Sequence, residues 1–215
     1  MKTRNYDEIS KFSNLRYLDQ LDDYKVHEDD TDVRGWNIYD RAGIKFGEIT
    51  NLAVDKSAMR TRYVVVELED ENVYQRDTNF FERIGEDIKD LFGDNNDRSV
   101  LIPVGMVDID EEDSKVSVFD FDSTYVSSGP RFSYSNREYV RPELELATAR
   151  YYTQTDDVED SRNTYRKTTY NSDLPLEGIL DKETFYNTPI FDRKRYRRSY
   201  ADADSTTMAA PKTGA

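Results

Sequence analysis

Runs of β-branched and aromatic residues, separated by short polar turns, dominate residues 32–68 of this chain of 215 residues. Runs of this kind are typical of β-strands. The turn at residues 40–43 ends in Gly43, which can take a positive φ without steric cost, and this is typical of a hairpin. We therefore predict three successive strands, at residues 36–39, at residues 45–49 with 52–54, and at residues 63–68.

A second β-rich region follows at residues 101–119. Its first strand contains Pro103, which has no backbone N–H and should therefore lie at a sheet edge or a bulge. Residues 107–110 and 116–119 flank an acidic turn and are predicted to pair as a hairpin. Gly47, inside a strand of the first region, indicates a bulge or a close approach of two backbones.

Together these patterns resemble the PRC-barrel, the small β-barrel of the cytoplasmic part of the photosynthetic reaction-centre H subunit. The same barrel occurs in a ribosome-maturation factor and in stand-alone bacterial proteins. The resemblance covers residues 15–152 and implies that Trp36 plugs one end of the core and that Arg34 pairs with an acid such as Asp32. The positions that we expect to shape this fold are Arg34, Gly35, Trp36, Gly43, Gly47, Pro103 and Gly105.

Apolar residues at helical spacing occupy residues 78–92, between the two β-rich regions. Thr78 is a suitable N-cap and Gly93 ends the pattern, so we predict an amphipathic helix inserted into the barrel. Two interpretations stay open. The apolar face covers the barrel core, or it docks a partner or a second copy. The candidate docking residues are Phe80, Phe81, Ile84, Ile88 and Phe92.

Three regions follow from these patterns. Residues 1–14 are an N-terminal extension, residues 15–152 are the barrel domain with the insertion at 78–92, and residues 153–215 are a tyrosine-rich tail. Pro142 and nearby acids predict a short helix at residues 142–152. The tail has too few apolar residues to offset its ordering entropy, so we predict that it is largely disordered. Residues 174–180 and 184–191 are its two candidates for docking.

Few residues in this chain suit catalysis or metal binding. It contains no cysteine, which excludes disulfides and thiolate sites, and His27 is its single histidine. The acids of residues 108–113 lack the spacing of an EF-hand and indicate a charged turn. No phosphate-binding, nucleotide-binding or hydrolase motif is present. We therefore predict a mainly β protein with no catalytic activity, no cofactor and no metal.

The charge of the chain is strongly acidic, at −14. Residues 1–150 carry 20 basic and 33 acidic residues, which disfavours nucleic acid and anionic membranes as partners. One basic cluster in the tail is either an anion-binding site or an intramolecular partner of the acidic barrel. Its candidate residues are Arg193, Lys194, Arg195, Arg197 and Arg198. Neither a long apolar run nor a signal peptide is evident, so we expect a cytoplasmic protein without a membrane span.

These observations lead to one functional hypothesis and two alternatives. The first is a non-catalytic interaction or adaptor module that binds a protein partner or a second copy of itself. The resemblance implies a link to stress responses. The first alternative is an accessory protein similar to the reaction-centre H subunit, which would tune proton or electron transfer. The second is a ribosome or RNA assembly factor that would use the basic cluster.

Overall fold

Strands outnumber helices in this protein, as the sequence predicts. A computed structural model describes residues 14–22, 24–27, 30–73, 75–77, 97–118, 121–134, 139–153 and 185–192. The strands are β1 (Leu15–Tyr17), β2 (Asn37–Tyr39), β3 (Lys45–Asp55), β4 (Arg60–Leu68), β5 (Ser99–Pro103), β6 (Val107–Asp110), β7 (Lys115–Val118) and β8 (Arg131–Phe132). The α-helices within these described residues are α1 (Ser123–Ser128) and α2 (Pro142–Thr153). Short 3-10 turns lie at Leu18–Gln20, Asp70–Asn72, Val104–Met106 and Pro189–Phe191.

The eight strands form one sheet that is built around β3. Their order is β6-β7-β2-β3-β4-β5-β8, and β1 pairs with β3 off this path. All pairs are antiparallel except β2 with β7. Along one edge of β3, β2 pairs with the first part, from Lys45 to Glu48, and β1 pairs with the last part, from Ala53 to Asp55. The long β3 therefore joins the start of the described chain to the rest of the sheet.

The described strands do not close into the predicted barrel. β6 and β8 end the path, and no ladder joins them in the described part of the chain. The strand β5 ends at Pro103, and the turn Val104–Met106 leads from it into β6. A proline cannot extend a ladder because it has no N–H. β8 pairs only with Ser99 and Val100, so Pro103 lies at a local sheet edge, as expected from the sequence. The sheet is therefore open on this side.

The two predicted pieces at residues 45–49 and 52–54 form one continuous strand, β3. The polar residues between them mark a shift of register with β4, between Ile49 and Asn51, rather than a strand end. Asn51 is buried, its side-chain oxygen accepts the N–H of Leu52 at 2.8 Å, and its amide donates to the hydroxyl of Tyr134. The predicted hairpin at residues 107–119 is formed by β6 and β7.

Two helices, α1 between β7 and β8 and α2 after β8, pack next to each other. α2 begins at Pro142, as the sequence predicts, whereas α1 was not predicted. The side chain of Asp122 accepts the N–H of Tyr125 at 2.8 Å and caps α1. The hydroxyls of Tyr125 and Tyr151 each donate to the other residue's backbone carbonyl, at 2.6 and 2.7 Å. These two reciprocal bonds hold α1 against α2.

The core of the molecule is centred on β4, which is buried on both faces. Its residues Tyr63, Val64, Val65 and Val66 are at most 2% exposed. Residues 185–192 cover part of this strand, where Phe191 packs on Tyr63 with ring centroids 5.3 Å apart. The predicted helix at residues 78–92 lies outside the described residues. So does most of the predicted disordered tail.

Gly47 allows β3 and β4 to approach each other closely. A Cβ at this position would lie 2.5 Å from the backbone oxygen of Glu67 and 2.8 Å from a methyl group of Val66. We expect Gly47→Ala to lower the free energy of unfolding by about 2–3 kcal/mol, because a central ladder cannot shift to make room. Urea denaturation measures this change. The control Glu48→Ala, at an exposed neighbour in β3, should cost less than about 0.5 kcal/mol. Equal midpoints for the two variants would contradict the close approach.

Candidate functional site

The positions expected to shape the fold lie in turns and at the edge of the core. Gly35 and Gly43 have φ values of +82° and +75°, which L-residues rarely adopt. Trp36 is half-buried against the core, and Gly105 is buried in the turn Val104–Met106. A guanidinium nitrogen of Arg34 lies 2.6 Å from a carboxylate oxygen of Asp32. This pairing lowers the pKa of Asp32 and raises the pKa of Arg34.

The two candidate binding groups from the sequence are the docking residues of 78–92 and the basic cluster at 193–198. Both lie outside the described residues. The acidic turn of residues 108–113 is described, and its carboxylates bind protein groups. Lys115 contacts Asp110 at 3.1 Å and also Asp113, and Glu111 accepts the hydroxyl of Thr31. Among the described residues, no group of three or more histidines, cysteines or acids is arranged to hold a metal ion.

A cleft of about 820 Å³ opens beside the turn between β3 and β4. Three parts of the chain form its walls, namely the described residues among 18–30, residues 54–62 and the end of the segment at 185–192. Its floor is apolar, and the residues that form it are Leu18, Val26, Val54, Val104 and Phe191. Its rim is polar, with Lys25, His27, Asp30, Arg60 and Asp192. An apolar floor with a few polar groups at its edge is typical of a binding site.

The mouth of the cleft carries an exposed methionine and several cations. Met59 is 77% exposed at the tip of the β3–β4 turn, where its φ is +48°. Lys25 and Arg60 are exposed on the rim, and the ammonium group of Lys56 lies 5.6 Å from the ring centroid of Tyr24. The rim therefore carries charges of both signs, with the cations Lys25 and Arg60 and the acids Asp30 and Asp192.

Buried charged groups lie next to this cleft. Asp55 is fully buried and lies 3.4 Å from a guanidinium nitrogen of Arg62. Asp55 also accepts the N–H of Ser57 at 3.1 Å, which shapes the β3–β4 turn. The guanidinium of Arg62 lies 3.9 Å from the ring centroid of Tyr186, in cation–π geometry. The ion pair of Asp55 and Arg62 thus connects β3 to β4, and the cation–π contact of Arg62 connects them to the segment at 185–192.

A second buried acid completes this arrangement from α2. Glu145 is 3% exposed and accepts hydrogen bonds from the hydroxyl of Tyr186 and, at 3.5 Å, from the hydroxyl of Tyr63. Burial, followed by the charge of Glu145, raises the pKa of both tyrosines, so both hydroxyls stay protonated as donors. We call Asp55, Arg62, Tyr63, Glu145 and Tyr186 the polar cluster. It ties α2 and residues 185–192 to β3 and β4.

Comparison with known protein families agrees with the mainly β fold described above. Residues 26–124 match the model of the PRC-barrel domain. This region of the chain is a PRC-barrel domain. The match confirms the resemblance found in the sequence, and no curated protein matches the chain. Within the described residues, every helix is too short or too polar to cross a membrane.

The cleft and the polar cluster combine the PRC-barrel domain with residues outside the match. Val26, Val54 and Val104 belong to the domain, whereas Leu18 and Phe191 do not. The sequence identified residues 184–191 as a candidate for docking, but it did not identify the groups that receive them. The sequence also did not identify Asp55 and Glu145 as buried acids. The available signal was the sequence Leu144-Glu145-Leu146. An acid between two leucines in a helix lies beside apolar positions and can therefore be buried with them.

Proposed function

We propose that this protein is a non-catalytic interaction module that binds a protein partner through the cleft. The observation that carries the proposal is the exposed Met59 above an apolar floor. Methionine side chains adapt to varied partner surfaces, and exposed apolar groups with a polar rim are typical of protein contacts. A PRC-barrel domain would supply a rigid platform for such a contact. A cytoplasmic location and a role in stress responses belong to the same proposal. The location is the expectation from the sequence pattern, and the stress role is what the family resemblance implies.

The rim favours a partner segment that has an apolar anchor residue flanked by carboxylates. Among the described residues, Lys25, Lys56 and Arg60 lie around the mouth, and Asp30 and Asp192 are acids on the rim. Exposed rim charges contribute more to partner choice and association rate than to affinity. The apolar floor would therefore supply most of the affinity.

The buried ionisable groups support a non-catalytic role because they already hold parts of the fold together. Asp55 is engaged with Arg62 and with the β3–β4 turn, and Glu145 is engaged with two tyrosine hydroxyls. His27, the single histidine, is exposed on the rim of the cleft. A partner would thus contact a preformed surface, and no group would need to change its protonation state.

A photo-crosslinking amino acid at Met59 is expected to capture a partner protein in the native host. The matched control is Ile44, which is also exposed, at 55%, but lies in the β2–β3 turn and does not line the cleft. Adding Lys25→Glu and Arg60→Glu to the Met59 probe should reduce capture at least about fivefold, because repulsion replaces attraction at the rim. Mass spectrometry of the crosslinked products measures both effects.

Equal capture of the same protein from both positions would place the interface outside the cleft and overturn the proposal. Crosslinking to RNA from Met59 would favour an RNA assembly factor instead. Capture of substrate-sized molecules, with turnover that depends on Asp55 or Glu145, would overturn the non-catalytic role.

A further inference from the structure

Residues 185–192 occupy a groove whose walls come from β4, the turn Val104–Met106 and α2. We propose that this groove is a recognition site for a short aromatic peptide motif, and that residues 185–192 are an exchangeable ligand in it. The partner that fits is a protein segment with a tyrosine followed, four and five residues later, by an aliphatic and an aromatic residue. In this chain those residues are Tyr186, Ile190 and Phe191.

The occupant of the groove is separated from the groove along the chain. Positions 154–184, a stretch of 31 residues, lie between the end of α2 and Phe185. No strand ladder in the described structure includes residues 185–192. Their described contacts with the groove run mainly through side chains, as in the binding of a short peptide motif. The family match also ends before α2, so the occupant lies outside the PRC-barrel domain that supplies β4.

One end of the groove selects tyrosine. The hydroxyl of Tyr186 donates to the carboxylate of Glu145, and the guanidinium of Arg62 covers its ring at 3.9 Å. A phenylalanine in place of Tyr186 would keep the ring contact with Arg62. It would lack the hydroxyl that donates to the carboxylate of Glu145, a residue that is 3% exposed. A hydrogen bond to a charged group contributes more to discrimination than a neutral one. The groove therefore distinguishes these two aromatic residues.

The other end of the groove holds the apolar anchors. Phe191 packs edge-to-face on Tyr63 at 5.3 Å, and Ile190 is 1% exposed. The rings of Phe185, Tyr186 and Phe191 also contact one another, with centroid distances of 5.0 to 5.6 Å. These internal contacts give the segment a compact shape of its own. A short peptide can therefore carry the whole set of recognised groups.

The charged groups in and next to the groove favour recognition over simple packing. Asp55, Arg62 and Glu145 are all largely buried, and buried ion pairs are often no more stabilising than apolar residues of the same size. Such groups do make the choice of occupant specific. The inference is separate from the proposed cleft function, although Phe191 contributes to both sites.

The test converts the attached segment into a free ligand without changing any contact residue. A protease recognition sequence is inserted between residues 154 and 184 of the full-length chain, and the folded protein is cleaved. Gel filtration then shows whether the C-terminal fragment stays bound. A fluorescein-labelled peptide of residues 185–192 is added to displace it, and fluorescence anisotropy gives its affinity.

We expect the fragment to co-elute at micromolar concentration and to be displaced by excess peptide. Tyr186→Phe in the peptide should weaken binding about tenfold, through loss of the bond to Glu145. Phe191→Ala should weaken binding about 100-fold or more, through loss of a buried ring. The control Asn187→Ala, at an exposed position, should change affinity less than about twofold.

Three results would overturn this inference. The first is unfolding of the protein on cleavage, which near-UV circular dichroism would detect. The second is failure of the peptide to bind or to displace the fragment. The third is equal affinity for the tyrosine and phenylalanine peptides. None of them affects crosslinking from Met59, so failure here is distinguishable from failure of the proposed cleft function.

Discussion

Replacement of Asp55 by alanine is expected to lower the free energy of unfolding by about 3–5 kcal/mol. Asp55 is fully buried, and the side chain of its partner Arg62 is only 12% exposed. Without the carboxylate, a largely buried guanidinium loses its counter-charge and keeps only the ring of Tyr186 as a described partner. Chemical denaturation of the full-length chain measures the loss.

Two further variants separate the causes of this effect. Asp55→Asn retains an oxygen for the N–H groups of Ser57 and Ala58, so it should cost less than Asp55→Ala and report the charge alone. Asp32→Ala removes the acid of another Asp–Arg pair, whose side chains are 41% and 34% exposed, and should cost at most about 1 kcal/mol. Similar costs for Asp55→Ala and Asp32→Ala would show that burial does not strengthen the pair with Arg62.

A rise of pH above about 10 is expected to unfold the protein steeply. Burial raises the pKa of Tyr63, Tyr152 and Tyr186 well above the value of a free tyrosine, and the charge of Glu145 adds to the effect at Tyr63 and Tyr186. The folded chain therefore keeps the protons of these three largely buried tyrosines, which the unfolded chain releases near pH 10. Their contribution to stability is complete below pH 10. Above it, about 1.4 kcal/mol per tyrosine is lost for each pH unit, or about 4 kcal/mol for all three.

Absorbance of tyrosinate at 295 nm, followed together with far-UV circular dichroism, tests this expectation. The late part of the tyrosine titration should coincide with the loss of β-structure. Tyr152→Phe keeps the buried ring but removes one of these protons, so the loss of stability per pH unit should be smaller by about 1.4 kcal/mol. Titration of every tyrosine near pH 10, with unchanged circular dichroism, would contradict the burial of these hydroxyls.

Local features of this protein could be predicted because they depend on neighbours in sequence. The β-branched run in β4, the hairpin of β6 and β7, and the start of α2 at Pro142 all agree with the structure. Gly43 takes a positive φ, and Gly47 marks a close approach of two backbones. Sterics and side-chain periodicity act over a few residues, and a single sequence displays them directly. The PRC-barrel resemblance rested on the same local patterns.

Features that depend on distant partners required the tertiary structure. The sequence alone determined residues 63–68 of β4, which begins three residues earlier at Arg60, and that residues 184–191 could dock. It did not show that Tyr186 meets Glu145, 41 positions away. The open sheet likewise depends on which strands meet beside Pro103. Burial turns Asp55 and Glu145 from ordinary acids into specific binding partners, because a charge removed from water must find another group. Only the folded arrangement decides which group that is.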